Sequence, residues 1–379
     1  MMIKFLAFYG DTEKKQNRMA SLAAENKINY VCSALSELGY DNEIISAGIT
    51  RDKKSYKGSV EKLNERTVLR LPHTFPWGNK LQKLFSLISL HLFLLYHLIF
   101  RTGNSDTVFV YHSLEYRTDI KIARFLKRFR VIFDVEEIYS DLPRLKKYKK
   151  IELPHLQMAD GYIFPTVLLN RIVNTDDKPF VIGHGTYREE AVRFKKAPSG
   201  TIHCVYSGTF DPEKGAEAAI SAAEYLPQEY HIHIIGFGTR EQTENIQKKI
   251  RLISEKSVAK ITYDGLKIGE DYIRFLQDCD IGLCTQNPQA SFSDTSFPSK
   301  TLAYLANGLR VVSVRIPAIE TSDIGQAMFY YGRQTPEEIA RTIQSIDINA
   351  EYDSRALIRD LHRKFVKELD SLLKESAGE

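Results

Sequence analysis

Cysteine is scarce in this chain and its spacing forms no framework. Among 379 residues there are four, Cys32, Cys204, Cys279 and Cys284. Cys279 and Cys284 lack a second pair or a histidine at zinc spacing, which argues against a zinc ribbon and against a disulfide scaffold. They read as buried thiols in a reducing compartment. Charge of one sign is also short: 52 basic residues face 48 acidic ones, a net of +4. With no arginine-rich arm and no RNA-binding signature, nucleic acid is not an expected partner. The start, MMIKFLAFYGD, lacks the apolar run of a signal peptide and reads as a strand. No glycine fingerprint follows that strand, since Tyr9–Lys15 reads YGDTEKK, and this disfavours a nucleotide-dependent oxidoreductase or epimerase. A DxD-type metal motif is lacking too; DVEE, Asp134 to Glu137, is the nearest and is poor.

What is present begins with length, which exceeds one typical domain and implies two. Hydrophobic residues at 43% and charged residues at 26% belong to a globular chain rather than a disordered one. One apolar run, Leu84 to Phe100, raises a membrane question. It is short for a span and holds His91 and His97, which are costly in lipid. With Lys80, Lys83 and Arg101 at its flanks, it is expected to be a buried or interface-lying helix before a monotopic contact, and a monotopic contact before a span.

Strand and helix signals alternate along the whole chain, which predicts an α/β fold with parallel sheets. Helices are expected at Met19–Leu38, Lys214–Tyr225 and Glu351–Lys374, among others. Between Gly185 and Thr201 the periodicity lapses and Lys195, Lys196, Pro198, Ser199 and Gly200 cluster. The expected division is residues 1–190, 191–350 and a terminal helix 351–379 packing back on the first domain. Two doubly wound Rossmann-like domains would then face each other across a cleft, with ligands at the carboxyl ends of their strands.

Several fragments have the chemistry of anion binding. FPSKTLAYLANGLRVVSV, Phe297 to Val314, reads as loop, short helix and buried strand. Pro298 and Ser299 stand at the helix start, Gly308 at its end, and Lys300 adds a cation in the first turn. An ordinary capped helix on a sheet fits the fragment equally. YSGTFDPEKG, Tyr206 to Gly215, offers Gly208 for close backbone approach and Lys214 at a helix start, or else is a plain strand–turn–helix. Gly236 and Gly265 end two further strands.

Taken in order, these blocks resemble the donor-binding half of nucleotide-sugar glycosyltransferases of the GT-B fold, most closely retaining family 4, whose members often build bacterial surface polysaccharides. VIGHGTYREEAVRF, Val181 to Phe194, resembles that family's approach to the hinge. The resemblance covers roughly residues 180 to 345 and is looser before that. It implies transfer of a sugar from a nucleotide diphosphate to a glycan or polyprenyl-linked acceptor, with retention, without metal and with no cofactor beyond the donor, whose base it leaves unknown. His112, Lys214 and Lys300 would be catalytic. Gly10, Gly208, Thr209, Gly236, Gly265, Asp294, Thr295, Ser296, Pro298 and Ser299 would bind the donor, and Asp11 and Glu136 would lie on the acceptor side. The implied setting is cytoplasmic, at the inner face of the membrane, where the apolar run and basic residues such as Arg124, Lys127, Arg128 and Arg130 would meet anionic lipid. The family's two glutamates are replaced by Thr295 and Ala303, and its phosphate-binding arginine by Thr209. That departure keeps open a second reading, a non-catalytic partner subunit of the same fold.

Overall fold

The computed structural model describes residues 2–141, 143–193, 200–290 and 295–375. The chain separates into two compact units. Unit 1 comprises Met1–Pro165, Leu169–Thr186 and Lys364–Glu379, and unit 2 comprises Thr166–Leu168 and Tyr187–Arg363. These bounds differ from the expected division. The long last helix, Ser354–Glu375, is shared, its residues up to Arg363 with unit 2 and those from Lys364 with unit 1.

Unit 1 is built on the strands β1 (Met2–Ala7), β2 (Asp41–Ser46), β3 (Ser59–Lys62), β4 (Thr67–Leu71), β5 (Thr107–Tyr111), β6 (Arg130–Asp134), β7 (Gly161–Phe164) and β8 (Phe180–Ile182). Their order in the sheet is β3-β4-β2-β1-β5-β6-β7-β8. All pairs are parallel except β3 with β4. The interior strands are apolar on both faces, as VFV in β5 and VIF in β6 show, which is how a sheet covered on both sides reads. The edge strand β3, SVEK, alternates and gives no such signal.

The helices α1 (Leu22–Glu37), α2 (Lys80–Phe100) and α3 (Arg117–Leu126) cross between these strands. The first is shorter than the expected Met19–Leu38, because Met19 bonds its N–H to Ile49 O in a loop and the N-cap falls at Ser21. The apolar run forms α2, capped by Asn79 and Gln82 in a reciprocal box. This helix is long and apolar enough to cross a membrane, yet its Leu90, Leu94 and Leu98 belong to the core of unit 1. Its two histidines are engaged within the unit. His91 Nδ1 lies 2.8 Å from a carboxylate oxygen of Asp119 on α3, and His97 is buried. The other face is apolar and exposed.

Unit 2 carries β9 (Ile202–Thr209), β10 (Tyr230–Phe237), β11 (Lys260–Gly265), β12 (Ile281–Cys284), β13 (Arg310–Val314) and β14 (Met328–Tyr331). Their order is β11-β10-β9-β12-β13-β14, with every pair parallel. The expected helix Lys214–Tyr225 does not form as one piece. Pro212–Lys214 is a 3-10 turn and the α-helix spans Ala216–Ala222. Gly215 separates them at φ 87°, where a Cβ would stand 1.9 Å from Thr285 O.

β9 and β10 end together at Gly208 and Gly236, which are register partners. Gly236 has φ 144°, and a Cβ there would lie 1.8 Å from Gly208 O. Only glycine lets the two strand ends approach so closely. Gly236→Ala is therefore expected to cost at least about 3 kcal/mol or to prevent folding. A urea midpoint equal to that of the wild type would contradict this.

Candidate functional site

In each sheet the strand order reverses at one place. In unit 1 the chain leaves β1 for β2 on one side and reaches β5 on the other. In unit 2, β9 has β10 on one side and β12 on the other. Loops diverge at such switch points, and the carboxyl ends of those strands are where open α/β sheets hold ligands.

At the switch point of unit 2 stands Lys300, the first residue of a seven-residue helix, Lys300–Ala306. Its Nζ lies 3.9 Å from the centre of the Tyr206 ring on β9 and donates to Lys214 O at 3.4 Å. A Cβ on Gly208 would meet the same Nζ at 3.4 Å, so ammonium and strand-end backbone are adjacent. Among the described residues Lys300 has no carboxylate partner. Burial draws its pKa down to about 8; Cys284 opposes the fall and the nearby Lys214 adds to it. Lys214 closes the 3-10 turn after β9. Thr285 Oγ1, just past β12, donates to Gly215 O at 2.7 Å and ties the two loops of the switch point together. The next residue, Gln286, is buried, and its Nε2 has no partner among the described residues.

The other donor-binding expectations fall out unevenly. Thr209 is exposed at the end of β9. Gly265, φ 75°, has open space around it, whereas Gly236 serves the close approach of strand ends. Thr295 O accepts from Thr166 Oγ1 at 3.1 Å, and Pro298 O accepts from Thr301 Oγ1 at 2.8 Å. Ser296 is half-buried. Ser299 is the N-cap in position, but its side chain makes no cap bond; its carbonyl accepts from Leu302 N instead. Asp294 lies outside the described residues.

At the switch point of unit 1 a cavity of about 710 Å³ opens beside Phe8, after β1, Tyr111, the last residue of β5, and His112 and Ser113, which follow it. Arg18, Arg51 and Arg117 also line it, with Glu115 as the acid beside them, a mainly cationic set that sequence reasoning missed. Arg18 is 7% exposed. Its Nη1 donates to Gly48 O at 2.8 Å and its Nε to Gln16 Oε1 at 2.9 Å, while its Nη2 has no partner among the described residues.

His112 is on this wall but is held from behind. Its Nε2 is 3.2 Å from Glu152 Oε1, its Nδ1 is 3.1 Å from Glu137 O, and its ring stacks on Tyr139 at 4.6 Å. Burial alone would raise the Glu152 carboxyl, but the bonds from His112 and Ser140 keep it below its ordinary value. An ionised Glu152 then orients the imidazole. Gly10, Asp11 and Glu136 do other work. Gly10 N donates to Glu25 Oε1 at 2.8 Å, and the Asp11 carboxylate accepts from Lys15 N and Gln16 N, folding its own loop. Glu136 faces Lys27 Nζ at 3.1 Å.

Residues 201–346 match the family model described as glycosyl transferases group 1. The chain is a glycosyltransferase. No curated protein matches it in sequence. Among solved structures it is similar to a trehalose-6-phosphate structure from E. coli bound with UDP-2-fluoro glucose, at 10% identity and TM-score 0.65 over 99% of each chain. It is also similar to a sucrose-phosphate synthase from Thermosynechococcus elongatus, at 14% identity and TM-score 0.67 over 99% of this chain and 96% of that one. An alpha,alpha-trehalose 6-phosphate synthase from Burkholderia multivorans aligns at 13% identity and TM-score 0.66, over 100% and 97%. At such identities the likeness is one of fold, the two-domain GT-B architecture. The domain match reaches group 1, a coarser level than the family 4 resemblance drawn from motif order.

The glycosyltransferase also keeps an acid out of water. Asp134, at the end of β6, is fully buried and adjoins Lys27 and Glu136. Burial pushes its carboxyl from 3.8 up to about 8; Lys27 lowers it and Glu136 raises it further. A raised pKa means that folding takes up a proton between these values. The stabilisation is complete below about 3.8 and is lost as pH rises through about 8. Asp134→Asn, which keeps a neutral group of the same shape, is expected to gain stability relative to the wild type as pH rises across this window. Parallel urea-midpoint profiles for the two proteins would contradict it.

Proposed function

We propose that this glycosyltransferase moves a sugar from a nucleoside diphosphate donor to a glycan or lipid-linked acceptor, with retention and without metal, in polysaccharide biosynthesis. The observation that carries the reading is the half-buried Lys300 ammonium, without a carboxylate partner among the described residues, against Gly208 at the switch point of unit 2. A cation in that position lacks only an anion. The diphosphate would lie between Lys300, Lys214 and the backbone at Gly208, and Gln286 Nε2 supplies a further donor. As the bond from the anomeric carbon to the diphosphate breaks, these groups stabilise the departing charge without rearranging. The acceptor hydroxyl bonds to that carbon, and its proton passes to a diphosphate oxygen. The similar structure bound with UDP-2-fluoro glucose supports a donor of this class.

The acceptor belongs to the cavity of unit 1. Arg18, Arg51 and Arg117 favour one that carries phosphate, since a guanidinium fork matches phosphate oxygens. A similar trehalose-phosphate synthase from Burkholderia xenovorans is in complex with glucose-6-phosphate, which supports a phosphorylated acceptor. A lipid-linked one is favoured by the outer face of α2, where Leu84, Phe85, Ile88, Leu92 and Tyr96 are exposed, and by Phe125 on α3, which is 90% exposed. Lys80, Lys121 and Arg128 are exposed on or near the same helices. An apolar stripe with a basic rim fits an anionic membrane surface. We place the protein in the cytoplasm at that surface.

Two experiments test this. Calorimetric titration with UDP, GDP and ADP is expected to find one diphosphate that binds. Lys300→Ala should weaken it about tenfold to a hundredfold, the effect of a charge-assisted contact of about 1.5–3 kcal/mol. Because Lys300 is cationic only below about 8, affinity should fall as pH rises through that value in the wild type and less in the variant. Binding that survives Lys300→Ala unchanged would remove the proposed donor site. Separately, the protein should float with phosphatidylglycerol-rich vesicles, and the Leu92→Glu, Phe125→Glu double variant should not. Equal flotation of both would exclude this face.

A further inference from the structure

The sheet of unit 2 carries a second constellation at its other edge. His203 stands near the start of β9, and His231 and His233 near the start of β10. Residues two apart on a strand share a face, and His203 is the register partner of His231. The three imidazoles therefore gather on one side of the sheet. Their ring centres are 3.7, 5.2 and 5.6 Å apart, and one ring nitrogen from each lies within 4.8 Å of the others. His203 Nδ1 and His233 Nε2 are 2.9 Å apart.

The neighbours fix which nitrogens present lone pairs. Asp264 Oδ2 lies 3.1 Å from His233 Nδ1 and accepts the Thr262 hydroxyl at 2.7 Å. A carboxylate oxygen that takes both of these contacts is the acceptor in each. His233 therefore carries its proton on Nδ1, and its Nε2 lone pair accepts from His203 Nδ1, the bond that an ion would replace. Thr262 has given its hydrogen to Asp264, so its oxygen accepts from His231 Nε2 at 2.9 Å, which leaves Nδ1 of His231 bare. A carboxylate that orients a histidine from behind is the usual outer support of a metal ligand.

We propose that His203, His231 and His233 bind a divalent transition-metal ion of zinc type, with a fourth position open to water. Three imidazoles suit such an ion. Tetrahedral zinc at about 2.0–2.1 Å from nitrogen sets ligand atoms about 3.3 Å apart. The His203–His233 pair would open by a few tenths of an ångström and the widest pair would close by about 1.5 Å, within reach of ring rotation. His203 is half-exposed and gives the ion a way in. The site is not part of the transfer reaction. His203 precedes Gly208 by five residues on one strand, about 16 Å at about 3.3 Å per residue. Its role is to clamp β9 to β10, the pair that ends in the close approach of Gly208 and Gly236.

The test uses the full chain after dialysis against a chelator. Cobalt(II) titration should saturate at one ion per chain with the strong visible absorption of a tetrahedral site, zinc should displace it, and zinc should raise the thermal midpoint. His233→Ala and the milder His203→Gln should each abolish the absorption, and Asp264→Asn should weaken binding about tenfold to a hundredfold. Weak octahedral-type absorption, no saturation, or binding kept in both histidine variants would overturn the proposal and leave a hydrogen-bonded row His203–His233–Asp264. Diphosphate binding is read separately, so failure here leaves the donor site untouched.

Discussion

Strand order reverses once in each unit, at β1 and at β9, and this reversal sets where everything else can stand. A crossover to the left and a crossover to the right carry their helices to opposite faces of the sheet. The two departing loops then diverge and leave room at the carboxyl ends of the strands. In unit 1 that room is the arginine-lined cavity beside Phe8 and His112. In unit 2 it is the place where Tyr206, Gly208, Lys214, Thr285 and Lys300 meet. Glycine at 215 and 236 is a consequence, because backbone must pass backbone closely where the strands end.

Charge pairing separates structure from site. Most withdrawn lysines of this chain are neutralised. Lys4 faces Glu43 at 3.1 Å, and Lys27 faces Glu136 at 3.1 Å and donates to Gly183 O. Lys14 reaches the buried Glu25 at 2.7 Å. Lys300 has instead a ring face and a carbonyl oxygen, and no carboxylate among the described residues. A half-buried cation left in this state is costly unless something else brings negative charge. Asp11 and Glu136 likewise have partners within unit 1, the backbone of their own loop and Lys27.

Much of the frame was legible because parallel strands buried on both faces write unbroken apolar runs, as in β5, β6 and β13. Gly208 and Lys300 were legible because a strand-to-helix turn confines their positions to a few residues. Arg18 was not: it sits in an irregular loop, and only the fold brings it beside Arg51, Arg117 and His112. The histidine trio was hidden for a related reason. A metal search by spacing looks for short gaps along the chain, whereas His203 joins His231 and His233 through the register of β9 on β10. The helix break at Gly215 also escaped notice, since its cause is the carbonyl of Thr285, seventy residues away.

The departures at Thr295 and Ala303 acquire a physical meaning in this setting. A glutamate on the Lys300–Ala306 helix, one turn from Lys300, would lie within reach of the ammonium and partly neutralise it. Alanine at 303 leaves the cation whole, and Thr295 brings no charge of its own. The cost is the loss of a carboxylate to receive sugar hydroxyls. Gln286, just past β12, is a buried polar group whose Nε2 lacks a partner among the described residues. An amide donates to oxygen where a carboxylate can only accept, so it favours phosphate or carbonyl oxygens over hydroxyl hydrogens. On the proposed donor reading, recognition would shift away from the sugar hydroxyls and toward the diphosphate itself.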